Sequence, residues 1–483
     1  MTADSASMTA WGGDPQGAGQ YRITRTVIQC AVSVSSFLED ASGMRGNAEK
    51  AFAPSNVEEL REIVATAAAG KIPLTVMGAA TGLTGAAVAQ SGWAVSLGRF
   101  RKVEVKQGSA RCGVGVSLQD LQDEAAKSGQ FFGPNPTEHL ASIGGIISTN
   151  AGGARSFRFR SVRHHVLGLE VTFMSGETRW LKREELVDFD YTPVMQPATT
   201  KNSAGYFLPP SVDWVNLLSG SEGTLGVITE AEVGLFPIAP AILSGVVFFP
   251  TDEDALNAVD EWRPVPGLRL LEYLDHASLE FMGPMQDNIP TGARAALLVE
   301  QDLRSEGDEE VDLWVDRLAR HRAFAEESWF GFSAQDRETF RAFRHTLAAT
   351  VVERVRHTGL PKIGTDFAVP LERSRDLLAD YRRHCDAIFP RKYLIFGHIG
   401  DANVHLNILP DTPEEAKQGE EMLLHFAKYA VSLGGTVAAE HGIGKNKRDL
   451  LKLMYSTDEI EAMKQVKNKL DPDWLLGRGN IFD

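Results

Sequence analysis

One stretch near the C-terminal end restricts the fold more than any other: Tyr393-Leu-Ile-Phe-Gly-His-Ile-Gly-Asp-Ala-Asn-Val-His-Leu-Asn-Ile-Leu409. Two apolar runs flank Gly400-Asp-Ala-Asn403, four residues rich in turn formers, and the pattern reads as a β-hairpin. With those four residues as the loop, Ile399 pairs with Val404 and His398 with His405. Directly opposed residues share a face, with Cβ atoms about 5 Å apart. Two imidazoles at that spacing can converge on one metal ion.

A third ligand candidate lies in Gly435-Thr-Val-Ala-Ala-Glu-His-Gly-Ile-Gly444. Small and β-branched residues lead to Glu440 and His441 and then break at two glycines, which predicts a strand delivering both groups to its end. Two imidazoles and a carboxylate with one position open suit a catalytic zinc or similar divalent ion. Side chains alternate along a strand. Glu440 can then bind metal while His441 points elsewhere, toward a reacting proton. The same residues also fit a plain hairpin with satisfied buried histidines.

The 483 residues are too many for one core and predict two or three domains. A composition 43% hydrophobic and 23% charged is that of a globular chain, and the net charge of −15 argues against nucleic acid and anionic membrane surfaces as partners. Cys30, Cys112 and Cys385 are odd in number and far apart, so neither a disulfide framework nor an iron–sulfur spacing is present, which fits a reducing compartment. The first twenty residues are polar and small, without a signal pattern, and are expected to be loose. No run approaches the about 18 apolar residues of a spanning helix. The expected location is cytoplasmic, with attachment at most peripheral to the inner face of a membrane.

Along the chain, Val57–Ala69 has helical patterning between a cap at Ser55 or Asn56 and Gly70. Residues 71–77 predict a strand running into Gly78-Ala-Ala-Thr-Gly-Leu-Thr-Gly85. That loop fits neither the Rossmann nor the Walker spacing. It still offers consecutive amides and the hydroxyls of Thr81 and Thr84, a nest able to hold a pyrophosphate. Two more glycine-rich runs follow, Phe132–Thr137 with Ser142–Gly153, and Leu218–Thr229. Together they suggest a dinucleotide lying extended across one domain, although a β-rich domain with many turns would show the same glycines. Pro237 and Pro240 mark a boundary. Beyond it, helical segments (307–327, 371–388) alternate with strands (242–249, 295–300), an α+β pattern. Arg337, Arg341 and Arg344 share a helix face. Further helices are expected over 413–433 and 458–470.

These motifs, in this order from about Pro54 to Phe482, resemble the flavoproteins of the vanillyl-alcohol-oxidase type that oxidise D-2-hydroxy acids. These include D-lactate dehydrogenase, the D-2-hydroxyglutarate dehydrogenases and the glycolate oxidase flavin subunit. The resemblance implies an α+β fold: an extension (1–48), a PCMH-type FAD-binding domain (49–238), a substrate or cap domain (239–390) and a C-terminal segment (391–483). It implies FAD held by Met77, Gly78, Ala79, Ala80, Thr81, Gly82, Leu83, Thr84 and Gly85. From the second region it implies Pro136, Thr137, Ser142, Gly144, Gly145, Thr149, Asn150, Gly152 and Gly153. The third loop and the C-terminus add Glu222, Gly223, Gly226, Val227, Ile228 and Asn480. The motif Gly-His-x-Gly-Asp-x-Asn-x-His with Glu-His-Gly-Ile-Gly resembles the D-2-hydroxyglutarate branch. It implies His398, His405 and Glu440 on a divalent metal of the zinc class, and His441 as base. Arg344, Lys362 and Asn407 are then expected at the substrate. Two departures stand out: Arg158-Phe-Arg160 replaces the family's Arg-Tyr-Gly, and Gly205-Tyr-Phe-Leu208 its Gly-Tyr-Asp-Leu. No histidine stands in the glycine-rich loop for a covalent link, so noncovalent FAD is expected.

The implied reaction is oxidation of a D-2-hydroxy acid (D-2-hydroxyglutarate, D-lactate or a D-malate-like acid) to the 2-oxo acid. Hydride would go to flavin N5, and the electrons onward to a quinone, cytochrome or electron-transfer flavoprotein rather than NAD. Two alternatives share the fold: an alkyl-transfer enzyme of the alkyl-dihydroxyacetone-phosphate synthase type, and the flavin subunit of a multi-subunit glycolate oxidase. Oligomeric state stays open, a homodimer among the options.

Overall fold

The computed structural model describes residues 24–283 and 288–483. The first twenty residues, expected to be loose, lie outside the described residues. Among the described residues, three larger sheets and a two-stranded ribbon (Gln130–Phe131 with Phe236–Pro237) organise the chain. The first runs Ala31–Val32, Lys50–Phe52, Trp93–Ser96, Leu74–Met77 and is parallel except for its first pair. Its flanking helix, Val57–Ala69, forms where the sequence predicts. Asn56 accepts from the Glu59 amide at 2.9 Å, Gly70 ends it, and Leu60, Ile63, Val64 and Ala67 turn one stripe inward.

The second sheet is antiparallel, ordered Val103–Lys106, Ser109–Gly113, Val227–Gly234, Val166–Thr172, Thr178–Lys182. The short helix Ile143–Ser148 packs on it, capped by Ser142.

The third sheet has seven antiparallel strands: Trp329–Gly331, Ala241–Phe249, Ala295–Leu303, Leu268–Asp275, Tyr393–His398, Asn403–Ile408 and Ile363–Gly364. The hairpin is real, and it joins this sheet by pairing Tyr273 with Gly397 and Leu274 with Phe396. Its register differs from the expected one by two residues: His398 opposes Asn403 and Phe396 opposes His405. The turn is a tight Ile399–Asp401 helical turn closed by Ala402 at φ 52°, not a four-residue loop over 400–403. An even shift preserves the face, so both histidines still point the same way.

The expected strand over 435–441 does not form. Apart from a bridge between Ala368 and Thr436, this segment has no ladder. Side chains take its amides instead: Asp366 accepts from Glu440 and His441 at 3.3 and 3.0 Å, Ser203 from Gly442, and Glu222 from both Ile443 and Gly444 at 2.7 Å. Backbone donors are satisfied without a neighbouring strand. Among the described residues, no helix is long and apolar enough to cross a membrane.

Candidate active site

The first glycine-rich loop leaves the strand Leu74–Met77 and turns through Ala80 (φ 57°) and Gly85 (φ 75°). Ser142 Oγ accepts from the Ala79 and Gly145 amides, both at 3.3 Å, and so ties this loop to the helix Ile143–Ser148. Gly78 is required there: a Cβ would stand 2.2 Å from Ser142 Oγ. Among the described residues, no protein acceptor takes the amides of Ala80, Thr81, Gly82, Leu83 or Thr84. This run of unclaimed donors fits the anionic diphosphate of a dinucleotide.

The three loops wall one cleft of about 240 Å³. Gly78, Ala79, Ala80, Thr81, Gly82, Leu83, Thr84, Pro136, Thr137, Ser142, Gly144, Gly145, Thr149, Gly152, Gly153, Glu222, Gly223, Gly226 and Ile228 line it. Met77, Gly85, Asn150, Val227 and Asn480 do not. Met77 and Val227 are buried strand residues. The Gly85 carbonyl accepts from Lys445. Asn150 donates to the Asn202 carbonyl and accepts from the Arg163 amide, which makes it a loop brace. Asn480 does the same work between the Ala86 and Glu222 carbonyls. Glu440 and His441 also open on this cleft, which sequence spacing alone gave no reason to expect.

At that end His398, His405 and Glu440 converge. One ligand atom from each lies within 4.8 Å of the others. Glu440 Oε1 is 3.1 Å from His398 Nε2 and 3.4 Å from His405 Nε2. Gly152 lets the carboxylate in, since a Cβ there would meet Glu440 Oε2 at 2.7 Å. The His405 ring is fixed through Nδ1 to the Thr365 carbonyl at 3.0 Å, and His398 Nδ1 meets Glu272 Oε1 at 2.5 Å. Outer partners of this kind set the tautomer of a metal-ligating imidazole. Two imidazole nitrogens and a carboxylate form a donor set suited to a zinc-class cation. Burial opposes the Glu440 charge, but His398 and Lys201 hold its carboxyl well below the usual range. Burial also opposes charge on His398, and Glu440 and Glu272 still raise it.

His441 does not point away from Glu440 as strand alternation predicts. With no strand there, its Nε2 lies 3.7 Å from Glu440 Oε1 and its ring stacks on His405 at 5.6 Å and 14°. Its Nδ1 is 3.4 Å from Asp366 Oδ2, and Lys447 Nζ holds that same oxygen at 2.8 Å. Burial pulls the His441 imidazolium down to about 4, against the Asp366 carboxylate, so the ring is neutral at neutral pH.

Arg344 is bound through Nε to Glu272 at 2.8 Å and lines a neighbouring cavity that shares Thr137 with the cleft. Lys362 turns its amine onto Asn407 Oδ1 at 2.6 Å. Sequence reasoning missed Lys201, Glu272, Asp366 and Asp401. The fully buried Lys201 ammonium lies 2.9 Å from Glu440 Oε2 and 3.4 Å from Asp401 Oδ2. Burial lifts Asp401 to about 6 against Lys201 and His398. One signal was available: Arg269 and Glu272 are charges inside the apolar run Leu268–Asp275, and a charge in a buried strand needs a partner.

Comparison with known proteins identifies the family of the chain. The profile of FAD-linked oxidases, C-terminal domain, matches residues 239–481, and the FAD-binding domain profile matches 48–182. The chain is 30% identical to the D-lactate dehydrogenase of Archaeoglobus fulgidus, across 89% of this chain and 90% of that protein. It is 29% identical to the D-2-hydroxyglutarate dehydrogenase of Xanthomonas citri pv. viticola, across 89% and 88%. A solved alkyldihydroxyacetonephosphate synthase superposes with a TM-score of 0.63 at 14% identity, over 90% of this chain and 77% of that one, which shows a shared fold. The chain thus carries an FAD-binding domain of PCMH type and belongs to the FAD-linked oxidases, as an FAD-dependent oxidoreductase.

Proposed function

We propose that this protein oxidises a D-2-hydroxy acid to the 2-oxo acid, with noncovalent FAD and a divalent cation held by His398, His405 and Glu440. The observation that carries this reading is the meeting of that donor set with the FAD cleft, where Glu440 and His441 line the same wall. The names of the relatives, D-lactate and D-2-hydroxyglutarate dehydrogenase, support the substrate class. When bound, the cation would acidify the substrate hydroxyl and the flavin would accept a hydride.

The chain's own residues do the rest. His441 takes the hydroxyl proton onto Nε2, neutral and therefore competent at neutral pH. Asp366 holds the proton of Nδ1 and is itself anchored by Lys447. Glu272 and the Thr365 carbonyl orient the two ligand histidines. Arg344 and Lys362 stand as the carboxylate-binding groups, with Asn407 also at the substrate. The electron acceptor is a quinone, cytochrome or electron-transfer flavoprotein.

The test is anaerobic mixing of the FAD-loaded protein with a panel of D- and L-2-hydroxy acids. Bleaching of the flavin by D acids, abolished by EDTA while FAD stays bound, is expected. No bleaching by any acid overturns the reading in favour of the alkyl-transfer alternative, and full bleaching by protein shown to be metal-free overturns the cation's role.

A further inference from the structure

Away from the cleft, a second set of ligating side chains joins two helices. Asp380 and His384 stand one turn apart on Ser374–Ile388, and His425 stands on Pro413–Ser432. One Asp380 oxygen and one nitrogen from each ring lie within 4.8 Å of one another. His425 Nε2 is 2.9 Å from Asp380 Oδ2, and His384 Nδ1 is 3.3 Å from Asp380 Oδ1. The ring centroids are 4.2 Å apart.

The carboxylate is 1% exposed while the His425 side chain is 44% exposed, so the cluster has a buried anchor and an open mouth. Packing holds the rings in place: Phe426 meets His384 edge-on, Tyr429 lies parallel to His425, and His384 Nδ1 is fixed to the Asp380 carbonyl at 3.0 Å. Arg383 reaches Oδ1 from a largely exposed position, leaving Oδ2 to His425. Two imidazoles around a buried carboxylate are donor types that suit a zinc-class cation.

We propose that Asp380, His384 and His425 form a second divalent-cation site, independent of the first, that clamps these two helices together. Next to the anchor, the Tyr381 hydroxyl donates to Thr365 Oγ1 at 3.3 Å, and the Thr365 carbonyl holds His405. The clamp therefore braces the strand that carries a residue of the active centre.

The experiment counts zinc retained by the FAD-loaded full chain after incubation with excess Zn²⁺ and desalting. The wild type, His398→Ala, His425→Ala and the double variant are compared. His398→Ala should retain one zinc per chain, and the double variant should lose it. Zn²⁺ should raise the melting temperature of His398→Ala but not of the double variant. Equal zinc in these two variants, or no zinc surviving desalting in His398→Ala, overturns the second site. If the first site took no cation, His398→Ala would match wild type while the His425 comparison kept its meaning, so the two ideas fail separately. The exposure of His425 makes its alanine variant a mild change to folding.

Discussion

Removing the Lys201 ammonium should destabilise the active centre by several kcal/mol, and the loss should depend on Glu440. The side chain of Lys201 is fully buried, 2.9 Å from Glu440 Oε2 and 3.4 Å from Asp401 Oδ2, and Asn403 Oδ1 accepts from it at 3.3 Å. With an effective dielectric of about 20, the two ion pairs are worth about 6 and about 5 kcal/mol before desolvation. Lys201→Met regains the cost of burying the ammonium but leaves two buried carboxylates with less compensation. Breaking a buried pair from one side costs about 3–5 kcal/mol. The assay is guanidinium unfolding of FAD-loaded protein in EDTA, followed by circular dichroism and compared by midpoint at equal slope. Glu440→Gln and the double variant complete a thermodynamic cycle. The double variant should regain a large part of the loss, because no unpaired charge then remains at position 440. A Lys201→Met cost under about 1 kcal/mol, the scale of an exposed pair, or strict additivity in the cycle, would refute the reasoning.

Three further outcomes are expected. Gly78→Ala sets a Cβ against Ser142 Oγ; an overpacking cost of about 1–3 kcal/mol, if carried into binding, should weaken FAD by roughly 5- to 150-fold in a fluorescence titration, and unchanged affinity would remove Ser142 from the loop junction. His441→Asn should keep FAD and metal while stopped-flow flavin reduction slows by about 10²–10⁴; loss of metal would make His441 a ligand, and an unchanged rate would make it a bystander. Burial lifts Glu222 from an ordinary 4.5 to about 7, against bonds from the Ile443 and Gly444 amides. A carboxyl with a raised folded pKa contributes fully below about pH 4.5 and loses that contribution as pH rises through about 7. Glu222→Gln should therefore flatten the fall in thermal stability between about pH 5 and 8, by up to about 3 kcal/mol; a parallel fall in both proteins counts against the shift.

What the sequence showed depended on where the determining contacts lie. Val57–Ala69 was legible to the residue because its cap, its apolar stripe and its terminal glycine are all local. The hairpin was legible, but its register was not. Ala402 adopts a left-handed conformation that nothing in its side chain signals, and this tightens the turn by an even number of residues. The shared face of His398 and His405 survived for that reason alone. The segment 435–441 was misread as a strand because its small and β-branched residues suit one. The acceptors that replace a ladder, Asp366, Ser203 and Glu222, come from distant positions and leave no local trace. Lys201 and Asp366 escaped notice for the same reason, since each is defined by a partner more than seventy residues away.

The walls of the glycine-lined cleft are braced by residues far down the chain. The Leu74 amide donates to the Leu475 carbonyl, the Gly477 amide donates back to Leu74, and Asn480 ties to the Ala86 carbonyl 394 positions away. At about 5–20 residues per second of synthesis, that separation means a wait of roughly 20–80 s between emergence of the first loop and arrival of its last brace. Throughout that interval the edge strand Leu74–Met77 and the first glycine loop lack these supports. Cofactor loading is therefore expected to follow completion of the chain. A ribosome-stalled chain ending before Leu475 should bind FAD poorly even though its entire nucleotide-binding domain has already been made.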